Sequence, residues 1–300
     1  MIKWKKVKHI STDNKPTKDG IFQYIFGREI TKDLTDNFIK SLHKYINEEK
    51  ILNNIKIQSE VSLEKLNIDN KISRLDILVE YDEEIFCIEM QNKYKKNIYK
   101  RARVYAAKID ATTLNIGEKY EKIKPLTMII ILNYVPKTIN NSDILQNLVF
   151  VDNKYKTRND DLGLRFIFIF LPELKKIPNN KLNCEFLQWL KFLEYEDMEV
   201  INNMSKKNNN IKRALEYVCP IPEEQQEKTL QRFHENALIE QLMDRTDARD
   251  EGIEIGKKIG KKESLLDFAK KMLIEKYNIQ EIIKLTGLSE TEINKLAESI

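Results

Sequence analysis

Between Ile72 and Gln91 the chain alternates apolar and polar residues with period two, and the alternation is broken by the acidic run Asp82-Glu83-Glu84. Such alternation predicts half-buried strands, here Ile72–Glu80 and Ile85–Gln91 joined as a hairpin. With a two-residue turn at Asp82-Glu83, Tyr81 faces Glu84 and, counting back, Asp76 faces Glu89. One face then carries Leu75, Ile77, Val79, Phe86, Ile88 and Met90 as core, and the other gathers Asp76, Glu89 and Gln91. Directly opposed side chains on one face lie about 4.5–5.5 Å apart at Cβ.

Elsewhere the period changes. A helix starts near Thr17, with Ile21, Phe22, Ile25 and Phe26 at helical spacing, and Gly27 interrupts it. A second amphipathic helix turns Leu34, Phe38, Leu42, Tyr45 and Ile46 inward, and a first strand covers Ile55–Leu66. After the hairpin come a helix over Tyr94–Leu114 and a strand over Leu126–Tyr134 that is too apolar for a sheet edge. This order predicts an α/β core whose last strand runs parallel to an earlier one. Asn140–Asp161 reads as polar loop, Leu164–Leu171 as another strand, and Asn183–Tyr217 as mainly helical with a break at Lys206–Asn210. Cys219-Pro220-Ile221-Pro222 closes that region, dividing a domain at 1–220 from a helical region at 221–300. Within the latter, Gly252, Gly256 and Gly260 share one helix face, and Asn278–Leu296 reads as two helices about a turn at Thr286-Gly287-Leu288. Ser289 and Glu292 have the spacing of a capping box.

Composition narrows the class. A chain of 300 residues with 41% hydrophobic and 33% charged residues is long and apolar enough for a substantial core. No stretch approaches the ~20 apolar residues of a membrane span, and the basic, polar start has no apolar segment of the kind a signal peptide needs. Cys87, Cys184 and Cys219 are widely spaced without a CxxC, which fits a reducing cytoplasm and argues against a disulfide frame or zinc site. His9, His43 and His234 are too scattered for a metal cluster, and Trp189 in an apolar helix belongs to the core. The net charge of +4 permits nucleic-acid binding without announcing it.

The chemistry concentrates in the hairpin. Two facing carboxylates repel unless a cation lies between them, and a hard divalent ion such as Mg²⁺ suits oxygen ligands. Such a pair with a polar neighbour two residues on is the layout of metal-dependent phosphodiester cleavage. Asp76 and Glu89 are the candidate ligands, and Gln91 is placed to position a water or touch a phosphate. A charged hairpin facing solvent would produce the same pattern. The next helix adds Lys93, Lys95, Lys96, Lys100, Arg101, Arg103 and Lys108 with no intervening acid, and with Tyr94, Tyr99 and Tyr105 interleaved. That surface suits a phosphate backbone, the alternative being a solvated basic face. Arg74, on the strand face of Asp76, is a further candidate phosphate contact or an ion-pair partner of the carboxylates.

These segments also resemble a known family. The run Asp19-Gly20-Ile21-Phe22-Gln23-Tyr24-Ile25-Phe26-Gly27, then Leu75-Asp76-Ile77, Ile88-Glu89-Met90-Gln91, the helix with Arg101 and Tyr105-Ala106, and Gly117-Glu118-Lys119-Tyr120 with Lys124-Pro125 occur in the chain in that order. The tail adds Glu251-Gly252-Ile253-Glu254 and Ile283-Lys284-Leu285-Thr286-Gly287-Leu288-Ser289. Together they resemble the Rpn family of recombination-promoting nucleases, also described as PD-(D/E)XK nuclease family transposases. The resemblance implies a restriction-endonuclease-like core and Mg²⁺-dependent DNA endonuclease activity, with Mn²⁺ as substitute. It also implies a bacterial role in recombination, mobile elements or defence. Asp76 and Glu89 would bind the metal, joined by Asp19 of the first helix, whose other reading is a helix cap. Gln91 occupies the place of the motif's Lys, and Lys100, Arg101, Arg103, Tyr105 and Arg74 would meet DNA. Gln23 stands where Lys is usual. With an amide at position 91, the alternative is a catalytically weak DNA-binding or assembly factor on the same fold. The C-terminal region, whose Lys284 and Lys295 are balanced by Glu281, Glu290 and Glu292, is expected to serve oligomerisation or regulation.

Overall fold

Strand β4 (Leu126–Leu132, LTMIIIL) is buried at every position, as its unbroken apolar run requires of a strand covered on both faces. The computed structural model in which it lies describes residues 15–48, 50–62, 74–113, 117–139, 143–218 and 252–297, together with Arg245 and Arg249. The chain divides into two compact units, Met1–Phe233 and His234–Ile300.

In the first unit, helices α1 (Asp19–Phe26) and α2 (Lys32–Tyr45) precede strands β1 (Lys56–Ser62), β2 (Arg74–Glu80) and β3 (Ile85–Gln91). Helix α3 (Ile98–Thr113) leads to β4, followed by β5 (Leu145–Leu148), β6 (Leu164–Phe170) and helices α4 (Glu185–Glu194), α5 (Met198–Ser205) and α6 (Asn209–Val218). The six strands form one sheet in the order β1-β2-β3-β4-β6-β5. The first three make an antiparallel meander, and β3, β4 and β6 run parallel, so the expected parallel return after α3 is present.

Two clusters sandwich the sheet. Ile77, Val79, Phe86, Ile88 and Met90 pack with α1, α2 and α4 through Phe22, Phe26, Leu34, Phe38 and Trp189. Cys87, Met128, Ile130 and Phe168 pack with α3 through Ile98, Ala102, Tyr105 and Ile109. His43 is a packing residue, its ring set edge-on against Phe86 at 5.6 Å. Burial holds its imidazole below the usual range, against the opposing pull of Glu84.

Three expectations need correcting. Leu75 belongs to the α3-side cluster rather than the face of Ile77 and Val79, because β2 leaves its regular pairing with β3 just beyond Ile77. Helix α3 begins at Ile98 rather than Tyr94. Tyr94 is instead packed against Tyr134, whose hydroxyl accepts the Lys95 N–H at 3.2 Å. The segment read as loop contains β5, a short strand paired antiparallel with β6. The expected boundary at Cys219–Pro222 and the strand end at Leu63–Leu66 lie outside the described residues.

In the second unit, helix α7 (residues 252–274) carries the three spaced glycines, and among the described residues nothing beyond the adjoining residues and the helix's own backbone lies within 4 Å of the Cβ each would bear. Its later turns pack with α8 (Ile279–Thr286) and α9 (Glu290–Ala297) through Ala269, Met272, Ile282, Leu288 and Ile293. Gly287 makes the turn at φ 70°, a conformation in which a side chain is strained. The capping box is present: Ser289 N–H donates to Glu292 Oε2 at 3.1 Å and Glu292 N–H to Ser289 Oγ at 3.4 Å. Among the described residues no helix is long and apolar enough to cross a membrane.

Candidate active site

The regular β2–β3 register runs from Glu80 opposite Ile85 to Ile77 opposite Ile88, and Asp76 and Glu89 are the next residues on the two strands. There the backbone ladder gives way to side chains. Asp76 N–H donates to Glu89 Oε1 at 3.0 Å, and Met90 N–H donates to Asp76 Oδ2 at 2.8 Å. Each strand thus holds the other's carboxylate. The Cys87 thiol, on the same β3 face, lies 3.8 Å from Glu89 Oε1. Among the described residues, every hydrogen bond to Glu89 falls on Oε1, which leaves Oε2 for another partner.

Burial separates this site from an ordinary charged hairpin. Glu89 is only 4% exposed and β3 is buried along its whole length, so the solvent-facing alternative does not hold. Burial first, and the Asp76 charge second, push the Glu89 carboxyl well above the usual range, with the Asp76 N–H, Arg101 and the Cys87 thiol pulling the other way. The Cys87 thiol is pushed up as well, chiefly by its own burial and then by Glu89 and Asp76, and so stays protonated as a donor.

Gln91 follows Glu89 on the same strand and is 7% exposed; its carbonyl accepts the Asn133 N–H at 2.9 Å, and its side-chain amide has no hydrogen-bond partner among the described residues. From α3, Arg101 Nε donates to Tyr105 Oη at 3.0 Å, and the Arg101 charge reaches Glu89. Tyr105 is buried, its hydroxyl held far up its range by that burial and then by Glu89. Its ring lies in the core, and its hydroxyl supports Arg101. Lys100 and Arg103 lie exposed on the outer side of α3, as expected, whereas Lys95 is buried. Asp19 opens α1 and Arg74 opens β2, but their side chains lie outside the described residues.

One site residue was missed from the pattern. Gln23, noted only for replacing a Lys, is 7% exposed and donates from Nε2 to Asp76 Oδ1 at 3.2 Å. Its signal was its position four residues after Asp19, which puts both on one side of α1. Gly27 makes the approach possible. A Cβ there would stand 2.9 Å from Ser59 Cβ and 2.8 Å from the Gln23 carbonyl oxygen, so only glycine lets α1 end this close to β1.

A family model described as PD-(D/E)XK nuclease family transposase matches residues 16–247. The chain belongs to that family. No curated protein and no solved structure matches it. The mixed six-stranded sheet flanked by helices is the α/β nuclease-like fold of the PD-(D/E)XK nuclease family transposases, here with helices appended beyond the matched region.

PD-(D/E)XK nucleases generally use divalent metals, and the donor set here fits a hard cation. Its atoms are carboxylate and amide oxygens, the carboxylates are close enough to repel, and Glu89 Oε2 takes no protein hydrogen bond among the described residues. Among those residues no three His, Cys, Asp or Glu side chains are grouped for a metal, so the two carboxylates need a further ligand of another kind or from beyond them.

Proposed function

We propose that this chain is a Mg²⁺-dependent DNA endonuclease, with Mn²⁺ as substitute, in which Asp76 and Glu89 hold the cation. The observation that carries this reading is the reciprocal clamp: a buried Glu89 and a half-buried Asp76 on paired strands, each carboxylate fixed by a backbone N–H of the other strand. A divalent ion bound there would polarise the scissile phosphate and lower the pKa of a coordinated water. The chain's own residues do the rest. Gln91 orients the attacking water by hydrogen bonds but is too weak a base to deprotonate it. Arg101, braced by Tyr105, faces the phosphate beside Glu89, while Lys100 and Arg103 draw the DNA backbone onto α3 by charge. Arg74 is assigned to the same backbone, and Asp19 to the cation.

The supporting context is the family membership. From it we infer a bacterial role in recombination, mobile elements or defence. A cytoplasmic site of action suits the free thiols of Cys87 and Cys184. We assign residues 1–220 to the nuclease domain and 221–300 to a helical region through which the chain self-associates.

Plasmid cleavage with Mg²⁺, Mn²⁺ or EDTA tests this reading. Metal-dependent cutting is expected from the wild type, reduced at least about a hundredfold in Asp76→Ala and Glu89→Ala, with DNA mobility shifts retained. One observation favours a second reading. The amide at Gln91 offers no proton acceptor, so a DNA-binding factor without turnover would use the same surface. Shifted DNA with no cutting by any metal would establish it.

A further inference from the structure

Resting on the metal-site reading above, we propose that Gln23, through its amide oxygen, is a further protein ligand of the cation beside Asp76, Glu89 and Asp19. Its amide already lies beside Asp76, Nε2 donating to Oδ1 at 3.2 Å. A half-turn of the terminal amide exchanges nitrogen for oxygen at the same place. The two atoms differ little in size, and rotation about the bond to the amide carbon is inexpensive. Adjacent ligands of an octahedral ion with bonds of about 2.1 Å stand about 3 Å apart. The Gln23–Asp76 spacing is already of that order.

Three further observations point the same way. Gln23 is 7% exposed, so its amide is committed to the site rather than to solvent. Its oxygen accepts no hydrogen bond among the described residues, so turning it inward breaks none there. Asp76 and Glu89 by themselves leave a hard cation, which takes about six oxygen ligands, short of protein oxygen. The α1 helix that supplies Gln23 is held tight against β1 at Gly27, so the amide arrives on a fixed backbone. The consequence is a site whose affinity, and whose preference for small ions that tolerate amide oxygen, is set by a residue outside the D…ExQ pattern.

The test is Mn²⁺ binding to the full-length chain, measured by calorimetry or by loss of the free-ion electron paramagnetic resonance signal, with urea unfolding of each variant without metal. Gln23→Leu keeps most of the bulk and removes the oxygen, and it is expected to weaken Mn²⁺ binding about tenfold or more. Gln23→Glu restores an oxygen and is expected to bind at least as tightly as wild type. A merely structural latch between α1 and β2 would shift unfolding in Gln23→Leu while leaving Mn²⁺ affinity unchanged or tighter, and that result would overturn the ligand role. Asp76→Ala separates the two levels. Wild-type binding lost in Asp76→Ala but indifferent to Gln23 sinks the Gln23 role alone. A wild type that takes up no Mn²⁺ sinks the metal site and this ligand with it.

Discussion

Arg101 and Tyr105 stand one helical turn apart on α3, and the pair shows how a buried group serves a charged one. Tyr105 contributes its ring to the core beside Ala102 and Ala106, and its hydroxyl fixes the Arg101 side chain. Deleting the hydroxyl in Tyr105→Phe keeps the packing and costs about 1 kcal/mol or less in stability. DNA affinity should fall a few-fold with an unchanged salt slope, because the charge remains and only its orientation is lost. Lys100→Ala with Arg101→Ala removes charge, and each phosphate left without its cationic side chain should flatten the dependence of log K on log salt by about 0.9. Filter binding from low to moderate salt measures both. An unchanged slope in the double variant would remove α3 from the DNA surface. At this scale the carboxylate pair was legible, because a fixed turn and a period of two suffice to count from Asp82-Glu83 back to Asp76 and Glu89. Gln23 was not legible, since its bond to Asp76 spans 53 residues and depends on where a helix docks.

Elements were legible in proportion to how strongly they are buried. β4 and β6, fed by continuous apolar runs, lie at the expected positions. β5 escaped notice because Leu145–Leu148 is a four-residue edge strand, half-exposed and lacking a clean alternation. The start of α3 was misplaced because the tyrosine contacts that hold Tyr94 and Lys95 outside the helix come from the chain after β4. The element with most influence on the site is α1, whose end is pressed against Ser59 at Gly27. Gly27→Ala inserts a methyl where backbone and Ser59 leave less than 3 Å. Overpacking of that kind costs about 1–3 kcal/mol, and the helix must shift or the sheet edge must give. Urea unfolding should report the loss, with Mn²⁺ affinity falling in parallel if α1 carries a ligand. A variant as stable as wild type would show that α1 moves over β1 freely.

If the chain cuts DNA as proposed, one cation site would serve one strand at a time, so rapid double-strand cutting would call for two chains, which the second unit is proposed to join. Helix α7 places Gly252, Gly256 and Gly260 on one side together with Ile255 and Ile259, and both isoleucines are exposed. Each glycine costs a helix about 1 kcal/mol relative to alanine, an expense a solitary helix has no reason to bear. Close approach of a second backbone would offset it. The sequence also tilts from acid to base: Asp244, Asp247, Asp250, Glu251 and Glu254, with Arg245 and Arg249 among them, precede Lys257, Lys258, Lys261 and Lys262, the last of which pairs with Glu292 in its own unit. Two copies of α7 laid antiparallel about Gly256 would bring Glu254 against the lysines at 257 and 258. Gly256→Leu should therefore convert dimer to monomer in sedimentation velocity. The plasmid product should shift from linear to nicked circles, while each site keeps its Mn²⁺ affinity. High salt should weaken such a dimer in the same direction, since Glu254, Lys257, Lys258 and Lys261 are exposed. A Gly256→Leu chain that sediments as the wild type does would mean that α7 associates by another face or not at all, and double-strand cutting would then have to arise from successive encounters of single chains with DNA.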